Sequence, residues 1–403
     1  MNWAFNWVQI MAHHKKLLGA LLALLSAMCL SGLVFFESRL SWQAWGISAS
    51  SLVVMSAALA WLLASVRTAL VQLGLGLYIL LMTLGGLGWL GVVLDANSVL
   101  GLVVVMTLMT SNLIHVLSSL LREMARGLFQ FDAVAEALKL NHRPIFLSNL
   151  TTLLGFVFAA WYEPQLQSMA VVVTLGAILS YAVTLSWLPL ILLSWLLEFR
   201  VGNPSDRHGY LFVLDWMKRY PRLSLALTLG MLTLLLGLVL SQPMIWNAMA
   251  NMWGMLLVLA LLFVVFWHSV HLALLNTLAN FAALLFALAL FVWLVAPSSL
   301  PLLWLMVPMG LIVDDGIHFF SRYVRAKQGL FRDNDSAVRY AMASVARPIW
   351  LSSWTLFLGV GVLLLSSNDD IQQASWVTLL SLATATAVIL WLIPAYLVRR
   401  TNQ

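Results

Sequence analysis

The chain has 403 residues, of which 62% are hydrophobic and 9% charged. Soluble domains keep about a quarter of their residues charged, so this composition excludes a soluble globular protein and describes a polytopic membrane protein. The net charge of +6 would suit a nucleic-acid binder, but the basic residues sit between apolar runs rather than in one patch, and nucleic acid is excluded as a partner.

A membrane-crossing helix needs about 20 predominantly apolar residues. Twelve such spans are predicted, near 17–36, 49–66, 70–93, 99–120, 145–161, 168–194, 223–241, 251–267, 272–296, 302–321, 349–367 and 374–397. The first follows Lys15 and Lys16 and has the layout of a signal peptide. Its apolar run is longer than a typical leader core, and no small-residue cleavage site follows Phe36, so it reads as a retained span. Cys29, the one cysteine, lies in this segment and has no disulfide partner.

With these spans, every Lys and Arg except Arg39 falls on one side. The positive-inside rule then predicts both termini in the cytoplasm and the short stretches Glu37–Ile47 and Gln242–Ala250 outside. Trp42, Trp45, Trp161, Trp246 and Trp253 fall near outer ends of spans, and Trp187, Trp195 and Trp267 near inner ends, as an interfacial aromatic belt. Gly85, Gly86, Gly88 and Gly91, with Gly359 and Gly361, are expected to let helices approach closely. Asp95, Asp369 and Asp370 read as solvated rim charges.

The two halves repeat each other. Ser111-Asn112-Leu113-Ile114-His115 answers Asp314-Asp315-Gly316-Ile317-His318, and Arg143-Pro144-Ile145 answers Arg347-Pro348-Ile349. Ser148, Thr151 and Gly155 match Ser352, Thr355 and Gly359, and each half closes on a tryptophan-leucine-proline pattern at Pro189 or Pro394. Six spans per half in the same order imply a parallel repeat about an axis along the membrane normal. The predicted fold is thus all-α, with 12 transmembrane helices in two six-helix repeats, residues 1–200 and 201–403, joined within Arg200–Arg222.

Asp314 and Asp315 stand out because they interrupt an apolar span. An ionised Asp near the bilayer centre costs about 2.5–3.5 kcal/mol even on the lenient insertion scale. Two neighbours in low dielectric cannot both ionise cheaply, so they are expected to hold and exchange protons as a unit. Helical spacing places His318 within reach of both. It reads either as a proton acceptor on the way out or as a helix-end hydrogen-bonder. Ser111 and Asn112 on the repeat-mate helix, and Thr355 on the next span, are the expected neutral partners, with Ser352 and Ser353 one turn away. His115 has no acid beside it and reads as structural. A metal site at Asp314, Asp315 and His318 lacks a further ligand. No nucleotide loop, dinucleotide fingerprint, zinc-protease signature or nucleophile elbow occurs, so neither an enzyme nor ATP-driven transport is expected.

The run Gly310-Leu311-Ile312-Val313-Asp314-Asp315-Gly316-Ile317-His318-Phe319, followed by Arg322, Ala337-Val338, Pro348-Ile349, Thr355-Leu356 and Gly359, resembles the fourth-helix region of the RND superfamily, in particular its MMPL-type branch. The resemblance extends over nearly the whole membrane core of both halves. It implies a proton-driven exporter of the bacterial inner membrane, using the proton gradient and no cofactor. Asp314, Asp315, Thr355, His318, Ser111 and Asn112 would form the relay, and the cargo would be amphipathic or lipid-like and enter from the lipid bilayer. Two departures stand against the family pattern. The large extracytoplasmic domains that normally follow the first span of each half are replaced by Glu37–Ile47 and Gln242–Ala250. The first half also carries Ser111 and Asn112 where many relatives keep acids. These departures leave two alternatives open. One is a non-transporting regulator on a degenerate, sterol-sensing-like core. The other is a subunit whose outer part comes from a periplasmic partner protein. A homo-oligomer also remains open.

Overall fold

The computed structural model describes residues 3–195, 208–250, 252–295, 297, 300–301, 303–329, 331 and 333–399. Among them the chain is helical, with the parallel bridge between Ser38 and Leu94 as its isolated β pairing. The chain divides into two compact units: Met1–Pro204 with Trp354–Gln372, and Ser205–Ser353 with Gln373–Gln403. Residues 196–207, where the sequence places much of the join between the halves, lie outside the described residues.

The first unit opens with α1 (Trp3–His13), an amphipathic helix that the hydropathy reading passes over. Its Ala4, Val8 and Met11 recur on one face and are buried, and the Trp7 indole donates to the Leu185 carbonyl at 2.9 Å. Then come α2 (Lys15–Leu30), drawn out by a 3-10 turn to Phe35, and α3 (Trp42–Leu63), whose first turn is capped by Ser41. Helix α4 (Val66–Leu90) ends where Gly91 takes a φ of +64°, a left-handed position that glycine occupies without strain. The segment between α2 and α3 is pinned by Arg39 N–H donating to the Leu94 carbonyl at 2.9 Å. Too short for a domain, it is a strap along this end of the unit.

Small residues decide the packing of α2 against α4. A Cβ at Gly85 would collide with the Cys29 carbonyl, and one at Gly88 with the Gly32 carbonyl. Backbone therefore meets backbone, as small residues permit where lipid supplies no hydrophobic drive between helices. Gly359 does a different job, leaving space filled by Met55 of α3, while Ser51 donates to the Gly359 carbonyl at 2.8 Å. Gly361 faces open space.

Helix α5 (Ser98–Ala125) is buried along its entire apolar window, and α6 (Gln130–Tyr162), α7 (Gln167–Leu185) and α8 (Trp187–Ser194) complete the unit. The span predicted at 145–161 is the second half of the 33-residue α6, which runs through Pro144 without stopping. The extension holds because Ala133, Val134, Ala137, Leu138 and Asn141 form a buried stripe at helical spacing. Proline removes one backbone bond and kinks a helix, but packing on both sides keeps this one continuous. The break between α7 and α8, by contrast, falls at Ser186, one turn ahead of Pro189.

In the second unit, α9 (His208–Arg219) leads into α10 (Pro221–Leu240), α11 (Pro243–Ala250) and α12 (Trp253–Trp267). The stretch Gln242–Ala250, expected on the outer face, is mostly the short helix α11. The span predicted at 251–267 is the 15-residue α12, about 22 Å long against a hydrocarbon core of about 30 Å. It ends at His268, whose φ of +51° turns the chain. Eleven helices among the described residues are long and apolar enough to cross a membrane.

Helices α13 (Val270–Val295) and α14 (Leu303–Gly329) follow, then α15 (Asn334–Gly361), whose residues through Ser353 belong to this unit. Like α6, α15 runs through its proline, Pro348. Helix α16 (Asp369–Ala387) passes into a π turn at Val388–Leu392 and then α17 (Ile393–Arg399). The wider turn sits where the ring of Pro394 obstructs the regular backbone bond. At the basic end, Arg339 of α15 pairs with Asp215 at 2.5 Å and with Asp335 at 3.3 Å, and Lys218 pairs with Asp335 at 2.6 Å, holding α9 to α15.

Several local expectations are revised. Trp42, Trp161 and Trp253 are exposed as an interfacial belt requires, but Trp267 is buried, stacked on Phe263 and packed against Phe320. Its ring fills the core and is no belt residue. Asp95 is not a solvated loop charge: it accepts from the Ser98 backbone N–H (3.0 Å), the Ser98 hydroxyl (2.8 Å) and the Ser168 hydroxyl (2.5 Å), tying the start of α5 to α7.

Candidate functional site

Asp314 and Asp315 sit midway along α14, which is buried over its whole apolar window. Such a helix has no polar face, so each polar side chain must be answered by a neighbouring helix or by another residue on α14. Consecutive residues on a helix point about 100° apart, and the pair therefore addresses two different surroundings.

Asp315 faces α15 and α16. Ser353 donates to its Oδ2 at 3.0 Å, Thr386 to the same oxygen at 3.4 Å, and Ser352 reaches Oδ1 at 3.5 Å. The Thr386 and Ser353 hydroxyls also lie 2.8 Å apart, so Thr386 can turn its proton to Ser353 instead, linking the two helices beneath the carboxylate. Both serine hydroxyls also lie within reach of the Ile349 carbonyl, Ser352 at 2.9 Å and Ser353 at 2.8 Å, so each can turn its one proton to the carboxylate or to the carbonyl. The cradle is made of neutral hydroxyls, each able to donate or accept as the carboxyl gains or loses a proton.

Asp314 points along its own helix. Its Oδ1 lies 3.4 Å from Nε2 of His318, one turn on. His318 is fully buried, and α14 continues to Gly329, so this histidine sits in the interior and not at a helix end. Arg322, a further turn along the same stripe, is also buried. The sequence reading placed Arg322 among the cytoplasmic charges. On the helix it stands about 12 Å from Asp314 at 1.5 Å rise per residue, making the order acid, imidazole, guanidinium toward the basic end.

Gly316 occupies the third direction. A Cβ there would collide with the Asn276 amide of α13, and Asn280 Nδ2 would lie 3.2 Å away. Asn280 donates to Asn276 through its backbone carbonyl (2.9 Å) and side-chain oxygen (3.1 Å). Buried amides thus press against the acid-bearing turn, a feature absent from the sequence reading.

Of the other predicted relay residues, Ser111 and Asn112 lie on α5 in the first unit, both buried. The Asn112 amide donates to Ser180 of α7 at 2.8 Å. Thr355, fully buried, also falls in the first unit. The second unit itself brings together Asp314 with His318, and Asp315 with Ser352, Ser353 and Thr386. Thr386 was missed: it lies in a weakly polar stretch, and only the docking of α16 makes it a partner.

No family model matches the chain, and no curated protein matches it. Solved structures do. The chain is similar to SecDF, described as a translocon-associated membrane protein, from Thermus thermophilus, with a TM-score of 0.71 and 15% identity, covering 89% of this chain and 62% of that one. A second structure, SecDF in a super-membrane-facing form, matches with a TM-score of 0.61 and 12% identity, covering 90% of this chain and 62% of that one. The chain therefore spans less than two thirds of the length of these structures. At this identity the likeness shows the fold alone, in a chain with eleven described helices long and apolar enough to cross a membrane.

Proposed function

We propose that this protein is a proton-coupled permease of the RND type, in the bacterial inner membrane with both termini cytoplasmic. It would export an amphipathic or lipid-like molecule. The observation that carries the reading is the buried acid pair on α14, with Asp315 held by hydroxyls of Ser352, Ser353 and Thr386 and Asp314 beside His318. A structural polar knot needs no ionisable group, because an amide would bridge helices without the risk of a buried charge. A carboxyl ringed by rotatable hydroxyls can instead accept a proton, keep its partners and give the proton up again.

The stripe Asp314, His318, Arg322 gives protons a direction. A proton leaving Asp314 meets an imidazole one turn on, with the buried Arg322 guanidinium a further turn toward the basic end. Each inward proton delivers about 2.3 kcal/mol per 100 mV of membrane potential. In this reading Ser111, Asn112 and Thr355 are the further relay residues that the sequence motif suggests. An MMPL-like lipid cargo is supported by the motif resemblance and by the short stretches Glu37–Ile47 and Gln242–Ala250, which offer no outer domain to gather a soluble substrate.

The similarity to SecDF favours one further reading, that the chain works as a membrane subunit of a larger export assembly. Both readings need the acids to titrate. Asp314→Asn and Asp315→Asn should each abolish activity in a cell-based complementation assay at unchanged membrane abundance. Asparagine keeps the volume and hydrogen bonding of a protonated aspartate but cannot release a proton. Full complementation by both variants would leave the acids a structural role only.

A further inference from the structure

The second unit contains a cleft of about 490 Å3 that the acid site does not use. It lies between the turn joining α12 to α13, the last turns of α14, and residues of α15 and α17. Its polar lining includes His268, Ser269, His271 and Lys327 beside neutral side chains, and among the described residues no carboxylate lines it. Leu272 and Leu397 add apolar walls.

The lining groups are held by their neighbours. The His271 ring stacks on Tyr396 and its Nε2 lies 3.1 Å from the Tyr396 hydroxyl. His268 takes its left-handed conformation at the lip of the cleft. Ser269 accepts from the Leu272 backbone N–H at 3.4 Å, so the 26-residue α13 starts at the cleft and directs the positive end of its dipole there. Tyr323 donates to Asn334 at 3.0 Å, and Asn334 donates to the Leu397 carbonyl at 3.4 Å, closing one wall. The nearby carboxylate of Asp333 is engaged in capping α15, accepting from the Ser336 backbone N–H at 2.7 Å. That bond holds its carboxyl below the usual range, with a smaller contribution from Lys327.

We propose that this cleft binds a phosphate ester. An ammonium, two imidazoles, a hydroxyl and a helix start converge on a volume that holds a glycerophosphate-sized group. Basic pockets between membrane helices are suited to anionic headgroups. The apolar walls favour a phosphate carried on a lipid, with a free phosphate ester as the other source of the same chemistry.

The test uses the full chain, reconstituted in vesicles of equal parts phosphatidylcholine and phosphatidylglycerol, with retained lipid counted by native mass spectrometry. Wild type should retain phosphatidylglycerol in preference, and the double variant Lys327→Gln/His271→Gln should lose that preference about tenfold, the worth of one charge-assisted contact. Asp333→Asn removes a competitor for Lys327 and should raise retention, a change of sign that misfolding does not produce. If millimolar inorganic phosphate displaces the lipid, soluble phosphate esters share the site; if it does not, the lipid is the ligand. Equal retention by wild type and the double variant, or loss in both variants, overturns the proposal.

Discussion

Replacing Gly316 by alanine should strain the turn that carries the acids, and the structure gives the size of the effect. The new methyl would collide with the Asn276 side-chain oxygen, with Asn276 Cγ at 3.1 Å and Asn280 Nδ2 at 3.2 Å. Asn276 is fully buried and Asn280 nearly so, and neither can swing into solvent. Overpacking of a tight interior costs about 1–3 kcal/mol, and each kcal/mol moves the melting temperature of a unit this size by roughly 2–4 °C. Asn276→Ala should rescue the defect. It removes the obstructing amide, yet Asn280 keeps its bond to the Asn276 backbone carbonyl at 2.9 Å. The amide nitrogen of Asn276 has no hydrogen-bond partner among the described residues, so Asn276→Ala alone loses one side-chain bond, the 3.1 Å contact from Asn280, and should cost about 1 kcal/mol. Thermal melts of the purified chain and the three variants form a double-mutant cycle, with a coupling of about 1 kcal/mol or more expected. A Gly316→Ala protein as stable as wild type, or one that Asn276→Ala fails to rescue, would refute the packing of α13 on α14.

Gly85→Leu should destabilise the first unit by more than Gly361→Leu, because only Gly85 meets a backbone carbonyl; melting both variants side by side checks it. Ser353→Ala with Thr386→Val removes two of the hydroxyls that hold Asp315, so activity should fall severalfold while both acids remain; full activity would remove the cradle from the mechanism. Thr355→Val should give a partial loss in the same assay, having deleted one hydroxyl and no acid. A reporter fused after Gln403 should report the cytoplasm, since all but one of the basic residues then face inward; a periplasmic signal would overturn the assignment of sides.

The Asp314–His318 contact was legible because helical spacing alone sets it. Ser352 and Ser353 were legible as neighbours, but their ranking against Thr355 was not, since spacing along α15 does not reveal its rotation about its own axis. Thr386 and the Asn276–Asn280 pair depend on how α16 and α13 dock on α14, which no local pattern encodes. Hydropathy located the apolar segments but missed their ends. It treated Pro144 and Pro348 as starts, where amphipathic stripes carry α6 and α15 upstream by 15 residues, to Gln130 and Asn334. It also took 251–267 as a full span, although α12 is only 15 residues long. Arg322 reads as one of the inward-side basic charges, and its burial, which reflects packing around the whole of α14, is not visible in the sequence.

Proton flux measured in sealed liposomes tests the central claim most directly. Purified protein is reconstituted with a phospholipid extract that supplies amphipathic cargo, and an imposed pH gradient is followed with an enclosed dye. Wild type should dissipate the gradient faster than protein-free liposomes, and the Asp314→Asn/Asp315→Asn double variant should fall to the protein-free rate at equal incorporation. A double variant that carries protons as fast as wild type would contradict the account.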